Sequence, residues 1–405
     1  MKQPDRIPGT PRLLRAINDR SALQLLLEHG RLSRTELGSL TGLSKPTASQ
    51  LLSRLEAAGL VISVGGAVSN GPGRAAQLYE VNPAAGHVAA FDVTPGTIRA
   101  VVVDLGGRAV AEIHSSRPRR ERDALDHLSE AYAQVLTEAG LTRADISHAV
   151  VGVPGAYDLN AGTLRHARHL PGWHQPDLHQ HIAKLLGVTV ELENDVNLVA
   201  LAEHDTGAAA AVDTSILLWS ADGLGAAVVI DGRLHRGSTG SAGEVAYLPI
   251  AGQPLVRNAA RNTTGGFQRA AGGPAILQLG RSLGLHGVNP VNMVRSALSA
   301  TGGEAFLDEL ATRYATGLAA MITVIDPELV ILSGPVLQAG GEDLRARIER
   351  EIGSLAMQAT PAKLGRMNID PVLAGAKHVA VSRLREAVFR NPGADPPTTR
   401  PTHHT

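Results

Sequence analysis

The apolar positions in the first part of the chain recur at helical spacing. Residues 12–29 predict a first helix, whose apolar positions are Leu14, Ile17, Leu23, Leu26 and Leu27. Further along, a spacing of i, i+3, i+4 and i+7 predicts a helix with one buried stripe. The stripe consists of Ala48, Leu51, Leu52 and Leu55. This part of the chain should therefore form helices that bury one side and expose the other.

Local signals place two helix ends around a tight turn. Ser33 followed by Glu36 is a capping box, which predicts a helix start. The tripeptide TGL at 41–43 should turn the chain. Ser44 then caps the striped helix, and Pro46 lies in its first turn, where a missing N–H costs little. Two helices joined by a short turn are therefore predicted.

A hairpin should follow these helices. Gly59 ends the striped helix, and LVISV at 60–64 starts a strand. A loop over 65–73 and a return strand over 77–81 complete the hairpin, with Arg74 beside the turn. The order helix, turn, helix, hairpin predicts a winged helix-turn-helix over residues 12–81. The alternative is a small helical subdomain with a polar outer face.

The exposed face of the striped helix has the chemistry of a helix that enters the DNA major groove. Short polar or basic side chains begin at its N-terminus, where such a helix contacts base edges. The predicted DNA contacts are Ser44, Lys45, Thr47, Ser49, Gln50 and Arg54 on the helix and Arg74 in the wing.

After about residue 86 the pattern changes to short β-rich runs that alternate with helices. Three strands form a predicted antiparallel meander at 87–93, 97–104 and 108–113. A helix at 122–139, strands at 149–153 and 188–192 and helices ending at 187 and 204 follow. A second unit of this kind has strands at 215–219, 225–230, 233–234 and 329–333. Two related lobes with a ligand-binding cleft at strand ends are therefore expected.

Composition supports this division. Residues 1–80 hold ten basic against six acidic residues, whereas the remainder holds 28 against 32. The positive excess thus coincides with the predicted DNA-binding region, as phosphate contact requires. The chain has no cysteine, which excludes disulfides and cysteine-based zinc sites. It also has no run of about 18 apolar residues and no apolar segment of the signal type at its start, so a cytoplasmic protein without a membrane partner is expected.

Several further motifs occur in a fixed order. They are RAAQLYEVNP from Arg74, LPGW from Leu170, ELENDVNLVALAEH from Glu191, DGLGAAVVIDGRLHRGSTGSAGEV from Asp222 and IDPELVILSG from Ile325. With the winged helix, they resemble the transcriptional regulators of the ROK family (repressors, open reading frames and kinases), which include xylose-repressor-like proteins. Members of this family are sugar kinases or sugar-responsive transcription factors.

The resemblance implies a domain organisation. A flexible segment 1–11, the winged helix-turn-helix 12–81 and a linker 82–86 should precede an actin-like (ribonuclease H-like) sugar-kinase-type α/β domain over 87–390. Lobe one should comprise about 87–195 and the C-terminal helix, and lobe two about 196–375. The Pro/Thr-rich segment 391–405 is expected to be disordered.

The resemblance also implies that kinase chemistry has been lost. The family's first phosphate loop, D-x-G-G-T-K, reads DVTPGT at 92–97, where a proline removes a donor and the lysine is absent. The second, G-T-G-x-G, reads ADGLG at 221–225, and Asp222 places a carboxylate where a phosphate would lie. Phosphoryl transfer needs such donors. We therefore expect no enzyme activity and no cofactor.

The sugar-binding positions are partly retained. Asp195 matches the family's catalytic base and would accept hydrogen bonds from sugar hydroxyls, and Asn194 matches a sugar-contacting amide. Either residue could instead cap the helix that follows. Glu244 matches another sugar contact, with an ion pair as the alternative.

Three family positions have changed. Tyr247 replaces a histidine, His169 replaces an asparagine before LPGW, and Gln268 aligns with a sugar-binding glutamate in the decayed zinc segment GGFQ at 265–268. No zinc is therefore expected, and Phe267 should hold that segment instead. A polyol, an altered sugar, a sugar phosphate or no ligand all stay open. For a phosphate, Arg165, His166 and Arg168 could supply charge.

Histidines are frequent in RHARHLPGWHQPDLHQH at 165–181, but their spacing matches no standard metal-ligand pattern. A solvated loop is therefore favoured over a metal site. The sequence as a whole predicts a DNA-binding regulator of carbohydrate genes, more a repressor than an activator, which binds operator DNA as a homodimer or tetramer. A sugar kinase with an appended DNA-binding domain and a ligand-independent DNA-binding dimer remain as alternatives.

Overall fold

The computed structural model describes residues 11–66, 76–116, 124–158, 161–165, 170, 172–257 and 264–390. Among the predicted features, Arg74, His166, Arg168, His169 and the segments 1–10 and 391–405 lie outside these residues.

The N-terminal domain is a winged helix-turn-helix, as predicted. Its helices are α1 (Pro11–His29), α2 (Arg34–Thr41) and α3 (Lys45–Ala57), and its strands are β1 (Leu32–Ser33), β2 (Val61–Gly66) and β3 (Gln77–Val81). The capping box is present: the Ser33 hydroxyl accepts from the Glu36 amide at 3.3 Å, and the Glu36 carboxylate accepts from the Ser33 amide at 2.8 Å. The short β1, which sequence reasoning missed, pairs antiparallel with β3.

Lobe one is built on a five-stranded sheet. Its strands are β4 (His87–Val93), β5 (Thr97–Asp104), β6 (Ala109–Ser116), β7 (Ile146–Val153) and β10 (Thr189–Asn194), in the order β10-β7-β4-β5-β6. The meander β4-β5-β6 is antiparallel, and β7 and β10 continue it in parallel. Helices α4 (Ala124–Ala139) and α5 (Leu178–Leu186) cover one face, and a small hairpin, β8 (Ala156–Asp158) with β9 (Thr163–Arg165), follows β7.

Lobe two repeats this topology. After α6 (Asp195–Asp205) come β11 (Ser215–Ser220), β12 (Leu224–Ile230), β13 (Arg233–Leu234), β14 (Leu329–Ser333) and β15 (Ala362–Leu364), in the order β13-β12-β11-β14-β15. The helices on its outer side are α7 (Gly266–Ala271), α8 (Gly273–Ser282), α9 (Pro290–Ala297), α10 (Gly303–Ile325) and α11 (Pro335–Leu355). An antiparallel meander is again extended by two parallel strands, which is the internal repeat expected from the sequence.

The centre of the molecule is formed by α6 and the last helix, α12 (Pro371–Arg390), which pack together between the two sheets. A Cβ at Gly375 of α12 would lie 1.9 Å from the Leu198 carbonyl oxygen of α6, so only glycine permits this approach. The same apolar core continues into the winged-helix domain, because α12 also contacts α1. No described helix is long and apolar enough to cross a membrane.

Candidate DNA-binding surface and effector cleft

The N-terminal face of α3 carries the predicted DNA contacts. Ser44 is the N-cap: its hydroxyl accepts from the Thr47 amide at 3.4 Å and lies 2.8 Å from the Thr47 hydroxyl. Lys45 and Gln50 are exposed with Ser44 and Thr47, whereas Ser49 is half-buried. Ala48 and the three leucines of the stripe are buried on the opposite side. The exposed face therefore offers one cation and several short hydrogen-bonding groups.

Arg54, another predicted DNA contact, lies at the far end of α3 and has a partner inside the protein. Its guanidinium donates to the carboxylate of Asp19 in α1 at 2.6 Å, and the Asp19 side chain is only 9 % exposed. This ion pair joins α1 to α3, so Arg54 positions the helix within the domain. No local pattern indicates this contact, because the two residues are 35 positions apart along the chain.

A cavity of about 630 Å³ opens between the lobes at the ends of β10 and β11. Every described residue predicted to contact a sugar lines it, namely Asn194, Asp195, Glu244, Tyr247 and Gln268. Asn194 and Asp195 lie where β10 ends and α6 begins. Glu244 precedes a 3₁₀ turn of lobe two, and Tyr247 is the last residue of that turn. The chain thus brings residues of both lobes to one cleft.

Asn194 serves the fold as well as the cleft. Its side-chain oxygen accepts from the Asn197 amide at 3.1 Å, so it is the N-cap of α6. Its amide nitrogen donates to the Gly155 carbonyl at 3.1 Å, which ties α6 to the loop after β7. The capping interpretation of Asn194 is therefore confirmed.

Asp195 and Glu244 hold their protons more tightly than ordinary carboxyls. Burial raises the pKa of Asp195 to about 7, and the nearby carboxylates of Asp92 and Glu244 act in the same direction. Burial also raises the pKa of Glu244 to about 7. Because each of these two carboxyls has a pKa near 7, each can accept hydrogen bonds from a polyol when ionised and donate one to it when protonated.

In both altered phosphate loops, some backbone donors form hydrogen bonds within the protein. In the first loop, the Thr97 amide donates to the Thr94 hydroxyl at 3.0 Å, and the Thr94 amide donates to the Thr97 carbonyl at 2.9 Å. In the second loop, the Leu224 amide donates to the side-chain oxygen of Gln268 at 2.9 Å. The Gln268 amide nitrogen donates in turn to the Asp222 carbonyl at 2.9 Å. Gln268 thus uses both ends of its amide to hold the loop.

The segment at 265–268, which aligns with the family's zinc motif, is held by packing. Phe267 in α7 is fully buried, and a Cβ at Gly317 of α10 would lie 2.4 Å from its ring. The expected role of Phe267 is therefore confirmed. Among the described residues, no group of three or more His, Asp or Glu side chains could hold a metal ion.

An ion pair between the lobes was not foreseen from the sequence. Arg236, in the loop after β13, donates to the buried Glu193 of β10 at 2.6 Å. The Glu193 carboxylate also accepts from the side chain of Asn197 at 2.8 Å. On the same loop, a Cβ at Gly240 would lie 2.4 Å from the Tyr157 carbonyl oxygen of lobe one. The only sign of this ion pair in the sequence is that a charged residue, Glu193, directly precedes Asn194.

The described lining of the cavity is acidic. It includes Asp195, Asp222 and Glu244 and contains no Lys, Arg or His. Arg165, considered above as a source of positive charge for a phosphate, is paired with the buried Asp158 at 2.6 Å.

Comparisons with known proteins agree with this architecture. The ROK family profile matches residues 88–378, and a winged helix-turn-helix DNA-binding profile matches residues 15–62. The xylose repressor of Caldicellulosiruptor bescii is 28 % identical over 341 residues, which cover 80 % of this chain and 84 % of that protein. The transcriptional dual regulator NagC of Escherichia coli is 24 % identical over 366 residues, covering 87 % and 88 %.

Solved structures show the same fold. A ROK family transcriptional regulator, described as a homologue of the Escherichia coli MLC protein, superposes with a TM-score of 0.73 at 20 % identity, covering 93 % of this chain and 98 % of that one. A ROK hexokinase from Thermus thermophilus superposes with a TM-score of 0.63 at 25 % identity, covering 74 % and 99 %. The hexokinase matches a smaller share of this chain than the regulator does.

Proposed function

The chain belongs to the ROK family, and from this premise and its winged helix-turn-helix we propose that it is a sequence-specific transcriptional repressor of carbohydrate genes. The observation that carries the proposal is the combination of an exposed polar face on α3 with a cleft in which a backbone donor of each phosphate loop is bound within the protein. The relatives named as xylose repressor and as NagC support the same function.

Operator DNA is the proposed partner of α3. Lys45 would contact phosphate, and Thr47 and Gln50 would contact base edges in the major groove, with the wing and Arg74 on the backbone or minor groove. A homodimer or a dimer of dimers would place two such helices in successive major grooves of a near-palindromic site.

We propose that the protein is not an enzyme. Nucleotide phosphates are normally bound by free backbone N–H groups, and in this cleft the Thr97 and Leu224 donors are occupied. The Asp222 carboxylate would repel a triphosphate, and no cation in the described lining offsets that repulsion. The fold is that of a sugar kinase, whereas the groups at the nucleotide site are unsuited to transfer.

The cleft would serve as a sensor for an unphosphorylated sugar. Asp195 and Glu244 can accept hydrogen bonds from hydroxyls, and Asn194 and Tyr247 border the same space. The acidic lining disfavours a sugar phosphate for the reason that it disfavours ATP. Gln268 borders the space too, but its amide is occupied by the loop, so we assign it a structural role.

Helices α6 and α12 would connect this sensor to the DNA-binding domain. Helix α6 begins at Asp195, packs along α12, and α12 contacts α1. The segment between the domains is itself packed, because a Cβ at Gly86 would lie 2.9 Å from the Leu384 side chain of α12. Closure of the lobes on a ligand would therefore move α1 through packed helices.

The proposal is tested by two measurements on the full chain. Selection of bound genomic fragments followed by footprinting should yield a preferred, near-palindromic site. A coupled assay with ATP over a panel of sugars should show no turnover. Turnover that depends on Asp195 would favour a kinase with a DNA-binding domain, and failure to prefer any fragment over random duplex would refute the regulator. The footprint is also repeated with each sugar of the panel, and occupancy that no sugar changes would favour a ligand-independent dimer.

A further inference from the structure

The cavity is longer than the part that contains the hydroxyl-binding acids. From Asp195 and Glu244 it continues to the region of the altered phosphate loops, where Trp219, Pro95 and Gly223 line it. The volume of about 630 Å³ lies in the middle of the range of roughly 300–1,000 Å³ that encloses drug-sized ligands. Two joined sugar rings fill such a space better than one.

The far part of the cavity no longer suits a phosphate. Its loops form hydrogen bonds within the protein, and Gln268 holds the second loop in place from α7. Glycine at 273 accommodates this loop as well, because a Cβ there would lie 3.1 Å from the Asp222 carbonyl oxygen, which accepts from the Gly273 amide. The second phosphate loop therefore forms one wall of the cavity and is held in place by contacts within the protein.

The chemistry of this wall suits a sugar ring. Trp219 is half-buried on β11 and borders the cavity together with the apolar rings of Pro95 and Pro154. An aromatic side chain buries the C–H face of a sugar while its hydroxyl edge stays hydrated or finds a carboxylate. Asp222, which is exposed at this end, can accept from such hydroxyls.

We propose that the former nucleotide half of the cleft is a second sugar subsite, so that the effector is an unphosphorylated disaccharide or glycoside. The first sugar unit lies at Asp195 and Glu244, and the second packs against Trp219. This inference rests on the sensor function proposed above and specifies its ligand class.

The test compares matched ligands by isothermal titration calorimetry with the full chain. The panel pairs each monosaccharide with its disaccharide: xylose with xylobiose, glucose with maltose and cellobiose, and N-acetylglucosamine with its β-1,4 dimer. Glucose 6-phosphate and N-acetylglucosamine 6-phosphate are added to test the effect of charge. For at least one pair the disaccharide should bind ten or more times tighter than its monosaccharide, and no phosphate should bind tighter than its parent sugar.

Substitutions at two positions locate the second unit. Trp219→Ala should bring the ratio of disaccharide to monosaccharide affinity towards one, and Trp219→Phe should keep most of it. Gly223→Val should lower the same ratio by filling the subsite, since a Cβ at Gly223 meets nothing within 4 Å. Gly353→Val on α11, where a Cβ is equally unhindered, is the matched control and should leave the ratio unchanged.

Tryptophan emission supplies a second readout that does not depend on the calorimetric fit. The chain has two tryptophans, and Trp173 is only 1 % exposed in the core of lobe one. Disaccharide should therefore change the emission of Trp219, and the change should disappear in Trp219→Phe.

The outcomes separate this inference from the sensor function. A monosaccharide that binds as tightly as its dimer, or Trp219→Ala that lowers both affinities equally, overturns the second subsite while the sensor stands. Tighter binding of a 6-phosphate also overturns it. If no sugar binds while the same preparation retains its preferred DNA site, both the inference and the sensor fall and the DNA-binding function remains.

Discussion

Asp195 combines a structural and a proposed ligand-binding role in one side chain. Its carboxylate accepts from the Val196 amide at 2.8 Å in the first turn of α6 and also faces the cavity. Burial and the carboxylates of Asp92 and Glu244 all disfavour its charged form. A group of this kind lowers the stability of the empty protein and can recover that free energy when a ligand supplies hydrogen bonds.

The raised pKa of Asp195 predicts a pH-dependent stability. Between about pH 4 and pH 7 the folded protein keeps a proton that the unfolded chain has released, so this carboxyl's contribution to the free energy of unfolding falls as pH rises. The free energy of unfolding of Asp195→Asn, relative to that of the parent, should therefore rise by about 1–2 kcal/mol between pH 4 and pH 8. This is less than the full ~1.4 kcal/mol for each unit of the pKa difference, because the cavity admits water. Urea unfolding at both pH values measures it, with the exposed Glu130→Gln as the charge control. An equal difference at both values would contradict the assignment.

On α3, Lys45 should act through charge alone. Lys45→Ala is expected to weaken binding to every duplex and to reduce the slope of log affinity against log salt by about one, because one phosphate contact is lost. Gel shifts at several salt concentrations measure the slope. Lys184→Ala on α5 removes an exposed charge from lobe one and should leave the slope as it was.

Gln50 should act on sequence preference. A side-chain amide that contacts a base edge contributes about 1–3 kcal/mol of discrimination, so Gln50→Ala should weaken the preferred site and leave random duplex nearly unaffected. Competition binding with single-base variants of the site identifies the position that loses its preference. Uniform loss on all duplexes would show that Gln50 does not contact a base edge.

At the scale of elements, the second phosphate loop has become part of lobe two's framework. Helix α7 reaches it through Gln268, and the start of α8 reaches it through the Gly273 amide. In a nucleotide-binding protein such a loop keeps its donors free for phosphate. In this chain the Leu224 amide instead donates to Gln268, and the Ala221 amide donates to the Gly223 carbonyl within the loop.

Gln268→Ala should open this loop. The Leu224 amide loses its acceptor, a loss of about 1–3 kcal/mol for a buried donor, so its hydrogen exchange should accelerate about tenfold or more. Exchange measured by mass spectrometry on the peptide that contains 221–225 tests this. Gln338→Ala removes a comparable amide bond to the Gly365 carbonyl and should not change exchange at Leu224. Unaltered exchange in Gln268→Ala would mean that the loop does not depend on this side chain.

At the scale of the whole molecule, α12 is the helix that joins the two lobes to the winged-helix domain. It packs against the sheet of lobe one, against α6 and against α1, within one continuous apolar core. Leu384 is 1 % exposed in this core and lies against Gly86 between the domains. Ligand binding and DNA binding should therefore be coupled through α12, with a coupling of about 1–3 kcal/mol and a change of roughly 5- to 150-fold in operator affinity.

Leu384→Ala should reduce this coupling. The cavity it leaves costs about 2–5 kcal/mol of stability and loosens α12 against the segment between the domains. Operator affinity with and without the effector gives the coupling ratio, which should move towards one while the affinity for the sugar changes little. Leu355→Ala, an exposed leucine at the end of α11, should retain the parent ratio. A parent-like ratio in Leu384→Ala would exclude α12 as the connection.

Local physics let the sequence alone determine most of the architecture. The capping box at Ser33, the stripe on α3 and the repeated order of strands depend on spacings within a few residues, and all appear in the structure. Of the five described strands of two or three residues, β13 was predicted, whereas β1, β8, β9 and β15 were missed because so short a segment carries little periodic pattern.

Tertiary structure alone decided which polar groups are available to a ligand. Gln268 meets its partner across 44 residues, Arg236 meets Glu193 across 43, and Arg54 meets Asp19 across 35. A side chain's type and neighbours in sequence do not specify a hydrogen-bond partner so far along the chain. The same residue can hold a loop or bind a sugar, and only the packing of the lobes selects between them.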